Sequence, residues 1–104
     1  MLTKDILVAK LENDDRWLIR ALIALNNRQT TDEQREQTTK YTNGMGFRSC
    51  DAAIGSSMVA FYRHNGYLTR RQLDYWRKRQ KNGVMRIAVY WRQLLEVAQQ
   101  KNTQ

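Results

Sequence analysis

Apolar residues recur along this chain at intervals of three and four rather than in alternation, the periodicity of helices packed through one face. Thr3 is a capping residue for a first helix from about Lys4 to Leu11, and Asn13 or Asp14 opens a second that runs to about Arg28. Around that second helix, Trp17, Leu18, Ile19, Ala21, Leu22, Ile23, Ala24 and Leu25 cover most of the circumference. Only a polar wedge at Arg16, Arg20 and Asn27 is left, so this helix is expected at the centre of the fold with Trp17 buried. Thr31-Asp32-Glu33-Gln34 has the form of a capping box and predicts a short polar surface helix to about Thr38. Lys40 to Arg48 is then the longest irregular segment.

The remaining pattern predicts three more helices. One runs from about Cys50 to His64, capped by Ser49, with Ile54, Met58, Phe61 and Tyr62 as its buried stripe and Asn65-Gly66 as its stop. A second capping box, Thr69-Arg70-Arg71-Gln72, opens a helix to about Gln80 that packs through Leu73 and Trp76 and ends at Asn82-Gly83. The last, about Val84 to Gln99, packs through Ile87, Ala88, Trp91, Leu94, Leu95 and Ala98. With no proline and no strand-like alternation, the expectation is an all-α bundle of five or six helices, one domain over residues 1–104 ordered from about 3 to 99.

Composition narrows the class. The 104 residues are 41% hydrophobic and 27% charged, with no apolar run near the roughly 18 to 20 residues of a membrane span. Met1-Leu2-Thr3-Lys4-Asp5 lacks the basic-then-apolar order of a secretory signal, which predicts a soluble protein in the cytoplasm of a bacterial host cell. A single cysteine, Cys50, and a single histidine, His64, argue against a structural metal, and no cofactor is expected. Those two residues lie near opposite ends of one expected helix, about 21 Å apart at 1.5 Å per residue, too far for a thiolate–imidazole pair. Asp14-Asp15 and Asp32-Glu33 sit at helix starts, where the dipole favours carboxylates without any catalytic role. The chain therefore reads as non-enzymatic.

Charge changes the picture most. The net charge is +8, and residues 1–52 balance eight basic groups against eight acids, so the whole excess lies in residues 53–104. There Asp74 and Glu96 are the only acids. On an ideal helix with Leu73 at 0°, Arg77, Arg70, Lys81, Lys78 and Arg71 fall between about 40° and 160°, one basic strip beside the buried line. Arg79 completes the cluster, and Arg63, Arg86 and Arg92 extend it onto neighbouring elements. Such a strip matches contact with a phosphate backbone, and Tyr67 and Tyr75 nearby are candidate base-stacking groups. The plain alternative is a solvated face that keeps the protein soluble. A second candidate is Asn43-Gly44-Met45-Gly46-Phe47, where Asn43, Gly44 and Gly46 form either an anion-binding or recognition turn or a tight turn that needs positive φ and is anchored by Phe47.

Several of these pieces occur together in a known order. Leu22 to Gln34, containing Ala24-Leu25-Asn26-Asn27-Arg28-Gln29-Thr30-Thr31-Asp32-Glu33-Gln34, is followed by Asn43-Gly44-Met45-Gly46-Phe47, Asp51-Ala52, Leu68-Thr69, Gln72 and Tyr90-Trp91-Arg92-Gln93-Leu94-Leu95-Glu96-Val97-Ala98. Over about residues 16–98 this resembles a small helical module of phage, plasmid and other mobile-element proteins, also fused to SNF2-type helicases and other DNA-metabolism proteins. The resemblance implies a role near DNA and assigns no catalytic residues. Arg48 and Cys50 depart from it, standing where small or amide residues are more usual. Arg28, Gln29 and Asp32, like Asn43, Gly44 and Gly46, are then either structural or a recognition surface. The expected function is nucleic-acid binding, DNA in the first place, through the basic carboxy-terminal half. The alternative is an inhibitor that docks on a host defence or nucleic-acid-processing protein complex, of the anti-CRISPR or anti-restriction type. No membrane partner is expected, and the sequence leaves oligomeric state open.

Overall fold

A computed structural model of the chain describes residues 2–35 and 46–102. Five α-helices and one 3-10 turn account for most of them, in the all-α arrangement that the periodicity predicts. Helix α1, Lys4–Asn13, starts after Thr3, whose hydroxyl accepts the Ile6 N–H at 3.3 Å. Asp14 then serves both helices at the corner. Its N–H closes α1 on the Lys10 carbonyl, and its carboxylate accepts the Arg16 N–H at 2.9 Å to open α2, Asp15–Arg35.

Helix α2 is the central element, with Leu18, Ala21, Leu22 and Leu25 buried. Trp17 is only partly buried and packs against the core from its edge, with the Lys10 ammonium 5.4 Å from its ring centroid. The helix does not stop near Arg28. It continues to Arg35 straight through Thr31, so the expected second start there is not used. Nothing between Arg28 and Arg35 breaks a helix, and a capping hydroxyl is needed only where backbone N–H groups lack acceptors one turn back. The rest of the expected polar helix, and Lys40 to Met45 with Asn43 and Gly44, lie outside the described residues.

Helix α3, Ser49–Asn65, begins one residue earlier than expected, with Arg48 rather than Ser49 at the cap. Its buried line is Asp51, Gly55, Met58 and Val59; Ile54, Phe61 and Tyr62 flank that line and are only partly buried. Phe47 explains the rotation. Its ring lies where a Cβ on Gly55 would be, within 2.5 Å of the ring tip, so the one residue of α3 without a side chain faces the core. Gly66, at φ 84°, ends the helix with its N–H on the Tyr62 carbonyl at 2.7 Å, as Asn65-Gly66 predicts.

Helix α4, Arg70–Arg77, opens on the full reciprocal capping box of Thr69 and Gln72. It ends three residues before the expected stop, because Lys78 turns extended and the chain enters a hairpin-like loop. In that loop Arg79 bridges Met85, the Arg86 N–H reaches the Lys78 carbonyl at 3.0 Å, and Gly83, at φ 81°, makes the turn. Asn82-Gly83 is thus a hairpin turn rather than a helix end. Burial of Met85 holds the loop against the core. For the same reason the final helix starts late: Ile87–Tyr90 form the 3-10 turn and α5 spans Trp91–Asn102.

One hydrophobic cluster joins all these elements. At its centre, Trp76 is fully buried, gives its indole N–H to the Met58 sulfur, and stacks on Phe47 at 5.6 Å between centroids.

Candidate functional site

The structure divides the basic side chains into two groups. The first is tied into the framework. Arg77 leaves the end of α4 and crosses the α1–α2 corner, where Nε donates to the Leu11 carbonyl at 2.9 Å and a terminal nitrogen pairs with Asp15 at 2.7 Å. A cation is favoured at the carboxyl end of α1, and an arginine fork reaches both partners at once. Arg79 pairs with Glu12 at 3.0 Å and also donates to the Gly83 carbonyl, tying the hairpin to α1. In the same way Arg28 joins α2 to α5, through the Gln93 carbonyl at 3.2 Å and Glu96 at 3.0 Å.

Arg86 belongs to a buried polar network. Asp51 is wholly inaccessible, accepts from Arg86 at 2.7 Å on one carboxylate oxygen, and accepts the Tyr90 hydroxyl on the other. That hydroxyl in turn accepts the Arg48 N–H at 3.0 Å. Burial, then donation to Asp51, pushes the Tyr90 phenol well above its ordinary pKa, so it stays a donor. Desolvation works against the Arg86 charge, yet the Asp51 hydrogen bond and the fields of Tyr75 and Asp51 together raise its pKa. Close by in the same region, Gly46 has φ 79°, and the Gln93 amide brackets its peptide: the Gly46 N–H donates to Oε1 at 2.7 Å, and its carbonyl accepts from Nε2 at 3.0 Å. The Gly46 N–H is therefore engaged by Gln93 rather than open to an anion.

The second group faces solvent. Arg70, Arg71, Lys78 and Lys81 are exposed and make no ion pair with the described residues. Arg63, at the end of α3, donates to Asn27, and Arg92 lies 5.3 Å from the Trp91 ring on α5, so these two decorate other elements. The single helical strip expected from residue 70 to 81 becomes a helix face plus a loop, since Lys78, Arg79 and Lys81 lie beyond α4. Of the two tyrosines, Tyr67 is exposed and meets Phe61 edge-on, while Tyr75 is half-buried against Trp76 with the Arg86 guanidinium 4.8 Å from its centroid.

The polar network escapes the periodicity of apolar residues because its acid, Asp51, is not one of them. Asp51, Gly55, Met58 and Val59 follow the i, i+4, i+7, i+8 spacing as well as the stripe starting at Ile54 does. An acid on an otherwise apolar line is the signal that could have found it. Arg28, Gly46, Phe47, Asp51, Tyr90, Gln93 and Glu96, drawn from separate segments of the chain, all contribute to this one region.

No protein family, curated protein or solved structure matches the chain. Among the described residues no helix is long and apolar enough to cross a membrane.

Proposed function

We propose that this protein is a non-enzymatic nucleic-acid-binding module of the mobile-element type, whose contact face is the exposed surface of α4 and the loop after it. The carrying observation is that Arg70, Arg71, Lys78 and Lys81 are solvent-exposed without a carboxylate partner among the described residues. Two of them occupy the first turn of α4, where the helix dipole disfavours a positive charge and no acid accompanies them. Cations there work against the helix dipole, which favours a polyanion as their partner over a face kept charged only for solubility.

Titration of labelled single- and double-stranded DNA at several salt concentrations tests this. For duplex DNA, log K should fall against log salt with a slope near −0.9 per phosphate neutralised. Replacing Arg70, Arg71, Lys78 and Lys81 should reduce that slope by about 1 for each of them that touches a phosphate. Absence of binding at low salt, with a stable complex formed instead with one host protein, would replace this reading by the inhibitor.

A further inference from the structure

The loop after α4 and the helix itself border an open cleft lined by Tyr75, Lys78, Arg79, Gln80, Lys81, Asn82 and Arg86. We propose that this cleft is a phosphomonoester site, in which Lys78, Lys81 and Arg86 hold the phosphate of a nucleic-acid end or of a free mononucleotide. This goes beyond contact with a phosphodiester backbone, and the two differ in charge.

Among the described residues no carboxylate lines the cleft. Arg79 is matched by Glu12, which leaves three cations against Asp51 alone, an excess of two positive charges. A phosphomonoester carries about −1.5 to −2 at neutral pH with three acceptor oxygens, and each backbone diester carries only one charge. The cleft therefore balances the former.

Arg86 is also held ready. One terminal nitrogen is fixed by Asp51 and the guanidinium lies against Tyr75, while its other nitrogens make no hydrogen bond with the described residues. A planar fork held at one end offers the rest of its donors without losing further side-chain freedom. Lys78 is brought beside it by the pairing of the Arg86 N–H with the Lys78 carbonyl. At the wall, the side-chain nitrogen of Gln80 is buried without a hydrogen-bond partner, a further donor within the same loop.

The test compares one short single-stranded oligonucleotide carrying a 5′-phosphate with the same oligonucleotide carrying a 5′-hydroxyl, alongside adenosine 5′-monophosphate and adenosine. The phosphorylated form should bind roughly tenfold tighter at pH 7.5. That ratio should shrink as pH falls below the second phosphate pKa of about 6. Lys78→Ala combined with Lys81→Ala, both exposed and so harmless to folding, should bring the ratio to one. Competition by the monophosphate at similar concentration assigns the site to free nucleotides; its failure to compete assigns the site to nucleic-acid ends. Equal binding of both oligonucleotides, with the monophosphate and adenosine indistinguishable, overturns the proposal and leaves the backbone reading intact. If neither oligonucleotide binds, a monophosphate-specific shift of the Arg86 side-chain resonances upholds the cleft and defeats the backbone reading; no shift defeats both.

Discussion

Arginines only a few residues apart do opposite jobs in this molecule. Arg77 and Arg86 are partly buried, each joined to a carboxylate at 2.7 Å, and each links elements distant in sequence. Arg70 and Arg71 are exposed, joined to nothing among the described residues, and sit against the dipole of their own helix. Charge that ties the framework together is paired; the charge proposed for a partner is unpaired and exposed. Net charge alone therefore overstates the charge left unpaired, since part of the basic excess is matched internally.

The sharpest way to break this contrast is to remove Arg86. Asp51 has no access to water, so Arg86→Ala leaves a buried carboxylate with Tyr90 as its one side-chain partner among the described residues, and should cost about 3 to 5 kcal/mol in urea unfolding. Asp51→Ala should cost less, because the Arg86 side chain remains 29% exposed and can turn to water. The double variant should fall well short of the sum of the two, the mark of direct coupling. Additive losses would show that the two residues do not act as a pair.

Next in size is the packing beneath the network. Gly55→Ala places a methyl group within 2.8 Å of three Phe47 ring atoms, and Phe47 is buried in ring contact with both Trp76 and Tyr90. The gain of about 1 kcal/mol in helix propensity is outweighed by an overpacking cost of typically 1 to 3 kcal/mol. Net destabilisation, read by thermal unfolding, is expected; a more stable variant would mean that the ring moves freely.

These two sites also mark where the sequence was legible. The caps at Thr3 and Thr69 and the stop at Gly66 are local signals, each satisfied within a few residues, and each appears as expected; the apolar circumference of α2 is buried fully only at Leu18, Ala21, Leu22 and Leu25, with Trp17 at the edge. The Asp51 network depends on partners 35 and 39 residues away, which no local pattern specifies. The same holds for α4. Its basic periodicity continues to Lys81, but burial of Met85 and the turn at Gly83 draw residues 78–86 into a hairpin. Tertiary burial outweighs local propensity there.

A smaller effect separates the network from the surface by pH. Tyr90 holds its proton more tightly in the folded chain than the usual phenol does, so above about pH 10 the unfolded chain releases a proton that the folded one keeps. Stability should therefore be full below pH 10 and fall as pH rises beyond it. Tyr90→Phe should remove this alkaline component, at a cost of about 1 to 3 kcal/mol at neutral pH for the partners left unsatisfied. Denaturant midpoints measured on both sides of pH 10 give both quantities, and an unchanged alkaline slope in the variant would place the titration elsewhere.

The smallest effect has the opposite sign. Arg70→Gln and Arg71→Gln remove cations from the amino-terminal turn of α4 and leave the Thr69–Gln72 capping box in place. Each should raise stability by about 0.3 to 1 kcal/mol at low ionic strength, with the gain fading as salt screens the dipole. The same variants should weaken nucleic-acid binding and flatten its salt dependence. Greater stability together with weaker binding would identify the two arginines as groups held at a folding cost for a partner. If stability falls instead, they contribute to the framework as Arg77 does, and the division of the basic half into paired and offered charge has to be redrawn.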